Sequence, residues 1–569
     1  GSATSTTIND SGIQFVNGGV AASTIINGGA QDVSSGGSAT STTINSGGEL
    51  YVRSGGSATG ITISSDGRLY VDSGGVASQV NQSRGGAIIT DTLAVLSGTN
   101  VNGSFSISNG SAVNMLLENG GAMEVYDGTY ASNTTVGSES IMTVSRGGVA
   151  TDTTINSDGE QVVMGGSGVT KTTINYGGVQ DVRGGTATDT TINDGGKQYV
   201  SGVAIKTTIN DGGTQIVSSG GAAETTINSG GEQVVFDGGG VTSTTVNSGG
   251  EQLVFDGGYT TNTTINYGGT LSVSIGGSAT DTFVNGGTLH VSSGGVLRGT
   301  TTLTDKGTLV GDVVTNEGNL YFLNNSAATF AGSLTGTGTL TQEGGDTRFS
   351  GLLSQDGGIT LQRGAAMTMD ALLANVNVKA ESGTTLMLDG GSILTGSVTG
   401  VDSGAGNMTV KGASVWHLDG DSTVGALTLD NGTVDFRPSD STRQMQAFRP
   451  VSLVAESLSG NGTFRMNTDI ASHSGDMLNV KGNASGNFVL DIRNTGLEPV
   501  SAGTPLQVVH TGSGDAAFSL NGGKVDAGTW EYYLNKENTD WYLKADSGQP
   551  EPDNPNPGPD NPNPGPDNP

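Results

Sequence analysis

Four histidines, His290, His417, His473 and His510, are the chain's whole supply of imidazole bases. They lie in separate regions with no serine-and-acid pattern that would build a nucleophilic triad. The protease string Gly-Asp-Ser-Gly is absent. The nearest runs, Val71-Asp72-Ser73-Gly74 and Val401-Asp402-Ser403-Gly404, fall in repeat turns. Acids such as Asp181 and Glu124 are scattered, whereas glycoside chemistry needs a facing pair. The repeat region is also poor in aromatics for a sugar platform. Gly184-Gly185-Thr186-Ala187-Thr188-Asp189 lacks the third glycine of a calcium-binding β-roll. The glycine pairs have no phosphate-cradling context. No catalytic, cofactor-binding or metal-binding residue is therefore assigned, and no cofactor is expected.

Composition narrows the classes further. The 569 residues contain no cysteine, which removes disulfides, thiolate metal sites and Cys nucleophiles. A net charge of −30 disfavours nucleic acid and anionic lipid as partners. No stretch is long and apolar enough to span a bilayer, and no signal peptide opens the chain, so it reads as a processed fragment. The 98 glycines suit backbones that approach closely at many turns.

The element that positions everything is a repeat. The phrase T-T-I-N recurs with Ile8, Ile44, Ile155, Ile174, Ile192, Ile209, Ile227 and Ile265 at one place. Ile26, Ile63, Val80, Val136, Val246 and Val284 fill the same place in looser copies, and degenerate copies at Val101 and Leu117 bridge Val80 to Val136. The spacing is about 17 to 19 residues, which is solenoid range. A second motif follows each glycine break, as in Glu160-Gln161-Val162-Val163 and Lys197-Gln198-Tyr199-Val200. Its period-two alternation marks a strand with one buried face. Frequent Gly pairs between β-branched runs argue against helix. No proline occurs before Pro438, as a ladder paired on both sides requires. The fold expected is all-β: a right-handed parallel β-helix.

Parity then assigns faces. Gln161, Gln180, Gln198, Gln215, Gln233 and Gln252 point inward and stack rung on rung, with Leu50, Leu69, Leu271 and Leu289 replacing them elsewhere. In T-T-I-N the threonine next to isoleucine points outward, giving a row that includes Thr173, Thr191, Thr208, Thr226 and Thr245. Beside it, at the corner, run Asn175, Asn193, Asn210, Asn228 and Asn247. Four regions are expected: regular repeats over 1–300, less regular rungs over 301–437, a C-terminal cap over 438–546 with Trp530 and Trp541, and a Pro-rich linker over 547–569.

The T-T-I-N-x-G-G and G-G-x-Q-x-V phrases resemble the self-associating autotransporter adhesins of Gram-negative bacteria, the class of the diffuse-adherence adhesin and antigen forty-three. The block from Ala447 to Ala545, with Trp530-Glu531-Tyr532-Tyr533-Leu534-Asn535 and Trp541-Tyr542-Leu543, looks like that class's pertactin-type autochaperone region. The resemblance implies a passenger exported through the periplasm and held at the outer membrane through a C-terminal barrel. Its implied partners are a second copy of itself across cells and a host receptor or glycan. It makes the threonine and asparagine rows the candidate self-association face. Several members carry heptose O-linked to turn serines. A heptosyltransferase is thus an implied partner, and the Val-Ser-Ser-Gly-Gly turns put forward Ser34, Ser35, Ser218, Ser219, Ser292 and Ser293 as acceptors. The competing reading is a β-helical polysaccharide-degrading enzyme or a glycan-binding stalk.

Overall fold

One T-T-I-N phrase offers an isoleucine and a threonine to a core that a single rung cannot close. Stacking identical rungs supplies the cover above and below. A computed structural model describes residues 1–438 and 447–546; the Pro-rich linker over 547–569 lies outside the described residues. Every regular element among them is a β-strand. The chain divides into two compact units, Gly1–Met367 and the residues from Thr368 onward. The repeat pattern alone did not mark that division.

In the first unit each rung has three short strands, for example Gly168–Thr170, Thr173–Ile174 and Val179–Arg183. They pair parallel with the next rung in strict register, Ile174 on Ile192 and Gln180 on Gln198. The face built from the third strands is a sixteen-stranded sheet in chain order, from Ile13–Asn17 to Thr308–Val310. The coil is a right-handed parallel β-helix, as expected. Ile174, Ile192, Ile209 and Ile227 are fully buried, as are Val163, Val182, Val217 and Val235 from the third strands.

The glycine pairs answer two local demands, seen at Gly195-Gly196. Gly195 has φ +68°, where a β-carbon is strained. A β-carbon on Gly196 would stand 2.8 Å from the Ile174 carbonyl oxygen one rung earlier.

Inside, the six glutamines are fully buried and form one ladder. Each side-chain Nε2 donates to the Oε1 of the preceding rung at 2.6–2.8 Å, from Gln180 to Gln252. The inward threonines Thr172 and Thr207 donate to two of the same oxygens at 3.2 and 3.4 Å, and Thr263 donates to the terminal oxygen of Gln252 at 3.2 Å. The amides are thus satisfied without water. A two-rung version, Gln31 on Gln14 at 2.7 Å, stands near the N-terminus. Where leucine replaces glutamine at Leu271 and Leu289, the hydroxyls of Thr282 and Thr301 are buried without a partner. After Leu50 and Leu69 the facing places are apolar, Ile61 and Val80.

Two details of the repeat register are corrected. Val80 aligns with Ile61, and Gln82 takes the isoleucine place opposite Ile63. The buried Gln82 donates to the carbonyls of Gly86 and Leu116, at 2.8 and 3.0 Å. Val101 is no rung position: it caps a hairpin of Val95–Asn100 and Gly103–Ser108, and is 51% exposed. Ser111–Val113 then pairs antiparallel with the second hairpin strand. The glutamine-bearing face passes straight from Ala87–Asp91 to Ala122–Val125. The insert is close to one rung in length, so spacing could not separate a coil from a hairpin.

The second unit also begins with parallel strands, Leu373 on Ile393 and Ile393 on Val415. Its strands lengthen to Ser422–Asp435 and Ser452–Asp469, paired parallel around a bulge at Asp430/Gly432. Its core is aromatic: Phe464, Phe488, Phe518 and Trp541 follow one another at 5.3–5.7 Å between ring centroids. The ladder ends on an antiparallel hairpin, Trp530–Glu537 with Asp540–Ala545, which also pairs with Leu506–Gly514.

Candidate functional site

The outward threonines lie where parity placed them. Thr173, Thr191, Thr208, Thr226 and Thr245 are half-buried and in lateral register, while Thr172, Thr190, Thr207, Thr225 and Thr244 are buried behind them. Their hydroxyls make no side-chain hydrogen bond within the described chain. They form a column at the strand spacing of about 4.8 Å.

The asparagines beside them are already bonded to one another. Asn175 donates to Asn156, Asn193 to Asn175, Asn210 to Asn193, Asn228 to Asn210 and Asn247 to Asn228, at 2.9–3.0 Å. Each amide therefore uses one N–H and one lone pair along the axis, leaving one of each for an outside partner. The ladder holds the side chains in one orientation, which lowers the entropy cost of binding.

A third row went unseen in the sequence. Asp152, Lys171, Asp189, Lys206 and Glu224 stand exposed at the corner before the threonine pairs, each with φ near +55°. Their signs alternate from rung to rung, so this corner is nearly neutral on a strongly acidic chain. The signal was the variable residue preceding each Thr-Thr pair.

The six turn serines split into two kinds. Ser35, Ser219 and Ser293 are exposed, while Ser34, Ser218 and Ser292 are half-buried. Ser35 and Ser219 adopt φ of +48° and +56°. The Ser219 hydroxyl donates to the Asp237 carbonyl at 3.1 Å. Ser292 and Ser293 line an open groove of about 490 Å³ with His290, Val310 and Asp312.

Aromatic pairs are a second omission of the sequence reading. Tyr51 and Tyr70 stack at 4.4 Å, with the Arg53 guanidinium 4.6 Å over the Tyr51 ring. Phe236 and Phe255 stack at 5.6 Å. In-register rungs bring together residues that lie 19 apart in the chain, which local composition cannot reveal.

In the second unit the Asp435 carboxylate is buried against Arg437 at 3.0 Å and Arg465 at 3.6 Å, with His417 at 3.6 Å. Burial pushes the His417 imidazole below its ordinary value, against the pull of Asp435. Asp476 accepts the backbone N–H groups of Asn467 at 2.7 Å and Val451 at 2.8 Å. Burial pushes its carboxyl up to about 7 despite those two bonds. His510 contacts Asp540, but no serine nucleophile completes either histidine–acid pair among the described residues. No cluster of metal-ligating side chains occurs among the described residues either.

Two families match. The one described as the adhesin of the bacterial autotransporter system, probable stalk, matches residues 17–67, 35–86 and 97–159, and Pertactin matches residues 424–545. Autotransporter CRAC of Citrobacter rodentium is 84% identical over 262 residues, which is 46% of this chain and 16% of that protein. The autotransporter adhesin/invasin TibA of Escherichia coli O78:H11 is 79% identical over 264 residues, 46% of this chain and 27% of that protein. The chain thus spans less than a third of either relative. The crystal structure of the Haemophilus influenzae Hap adhesin is alike in fold, with a TM-score of 0.51 and 16% identity over 90% of this chain and 64% of its own.

Proposed function

Because the chain belongs to the autotransporter adhesin passengers, the class that CRAC and TibA represent, we propose that it is displayed at the bacterial surface and acts there as an adhesin. It binds a second copy of itself on a neighbouring cell and a receptor or glycan on a host cell. It performs no catalysis. The observation that carries this reading is the column of unbonded threonine hydroxyls beside a pre-ordered asparagine ladder, repeated at one pitch over many rungs. Each exposed hydrogen bond contributes about 1 kcal/mol or less net. A column of them in register makes adhesion steep in contact length.

The test replaces Thr191, Asn193, Thr208, Asn210, Thr226, Asn228, Thr245 and Asn247 with arginine and measures cell–cell settling. A folded, normally displayed variant should settle roughly tenfold more slowly, because like charges then meet across the contact. Settling at the parent's rate would place the adhesive face elsewhere.

Modification is the second part of the proposal. A heptosyltransferase can reach Ser35, Ser219 and Ser293 ahead of their half-buried neighbours Ser34, Ser218 and Ser292, since only the former hold exposed positions. Intact mass of the chain from a host carrying the matching enzyme should show whole heptose increments, fewer after Ser35→Ala, Ser219→Ala and Ser293→Ala. An unmodified mass from that host removes the proposal.

A further inference from the structure

Outside the repeat, the second unit holds a cleft of about 510 Å³, within the size range of small-molecule sites. The parallel ladder builds one wall of it. Asp435, Arg465 and Asp491 stand in register on three successive strands, and two residues further on Asn467 lies against Arg493. Arg437, just past its strand, donates to both Asp435 oxygens at 3.0 and 3.3 Å. Arg449 and the half-buried Phe448 line the cleft from just before the strand Ser452–Asp469. Four of the chain's 13 arginines, Arg437, Arg449, Arg465 and Arg493, thus gather in or behind this wall. On a chain of net charge −30 that concentration makes the cleft a local site for an anion.

The wall has more hydrogen-bonding capacity than the chain itself uses. Arg449 and Arg493 are exposed, and neither guanidinium has an ion pair or hydrogen bond among the described residues. The Asn467 side-chain amide is likewise unbonded. Arg437 Nη1 and His417 Nδ1 are buried without a hydrogen-bond partner in the chain. Two carboxylates line the same cleft. Asp435 is neutralised by Arg437 and Arg465. Asp476 takes one backbone N–H on each oxygen, which leaves each a second lone pair. Burial pushes its carboxyl up, so it carries only part of a negative charge at neutral pH.

We propose that this cleft binds a carboxylate-bearing sugar, of the uronic or sialic acid class. The proposal rests on the host-attachment reading above and names a glycan chemistry for it. The sugar carboxylate pairs with the guanidiniums of Arg449 and Arg493, whose planar forks suit carboxylate oxygens. Ring hydroxyls donate to Asp435 and Asp476 and accept from the Asn467 amide. An apolar C–H face of the sugar packs on Phe448. Simpler ligands match only part of this wall. A phosphate dianion would set a second negative charge against Asp435 and Asp476 and leave most of the cleft unfilled. A neutral sugar would cover two guanidiniums with no anionic acceptor. A zwitterionic amino acid needs a free carboxylate for its ammonium, and two arginines already neutralise Asp435.

Calorimetric titration of the whole chain with glucuronate and with N-acetylneuraminate tests this. At least one acid should bind with a Kd on the order of 1 mM, and the tighter of the two names the class. Glucose, acetate and glycine each carry part of the pattern and should bind at least about tenfold more weakly. Arg449→Gln combined with Arg493→Gln should weaken the acid about tenfold or more. Both side chains are exposed and free of partners, so the variant's urea midpoint should match the parent's. The proposal is overturned if neither acid binds, if parent and variant bind alike, or if acetate or glycine binds as tightly as the acid. Beads coated with the chain are tested alongside for attachment to cultured host cells. Attachment without acid binding removes this cleft alone, while beads that do not attach remove the host-attachment reading itself.

Discussion

Replacing Gln215 with leucine is expected to destabilise the first unit by about 2–4 kcal/mol, while the same change at Gln252 costs only about 1 kcal/mol. The side chains are similar in volume, so cavity formation is not the cause. Gln215 accepts the Nε2 of Gln233 and the hydroxyl of Thr225. Its loss takes the acceptor from both donors in a dry core. Gln252 ends the ladder. Its removal leaves the Gln233 oxygen still bonded to Thr244, and the Thr263 hydroxyl still bonded to Thr260 at 2.6 Å. The rungs interact only with their neighbours, so the damage should be local. Hydrogen exchange should quicken around Lys197 to Glu232 in the first variant and near Glu251 in the second. Equal destabilisation by the two substitutions would refute the ladder's directionality.

The second unit should lose stability as pH rises from about 4 to about 7, with Asp476 as the main cause. Its folded carboxyl titrates at about 7, against an ordinary value of 3.8. Between those values the native state holds a proton that the unfolded state has released. The slope of unfolding free energy with pH is therefore negative across that window. The contribution is fully present below the unfolded value and is lost as pH passes through the folded one. The separation of the two values sets an upper bound of about 4 kcal/mol on this contribution. All three tryptophans, Trp416, Trp530 and Trp541, lie in this unit, so their fluorescence reports its unfolding selectively. Urea midpoints should fall from pH 5 to pH 8 in the parent. Asp476→Asn should flatten that dependence: the amide keeps one acceptor for Val451 or Asn467 and never ionises. An unchanged slope in the variant would assign the pH dependence to other groups.

Much of this protein could be read before any coordinates. Period-two alternation placed Gln198 and Val200 inward and Tyr199 outward, and stereotyped spacing demanded coiling. The outward column from Thr173 to Thr245 followed from parity in the same way. These features are local, because a strand's two faces are set by the pleat and repetition then copies the choice rung after rung. What the sequence by itself could not decide is which residues meet across rungs. That depends on register, and one insertion or substitution alters it without changing local pattern. Hence Val101 looked like a rung and proved to be a hairpin tip, and Val80 exchanged places with Gln82. Hence also the stacked Phe236 and Phe255, the alternating corner from Asp152 to Glu224 and the Asn–Asn ladder needed the tertiary structure. Asp476 is the extreme case: its titration is set by how deeply the second unit buries one carboxyl, and no spacing in the chain encodes that depth.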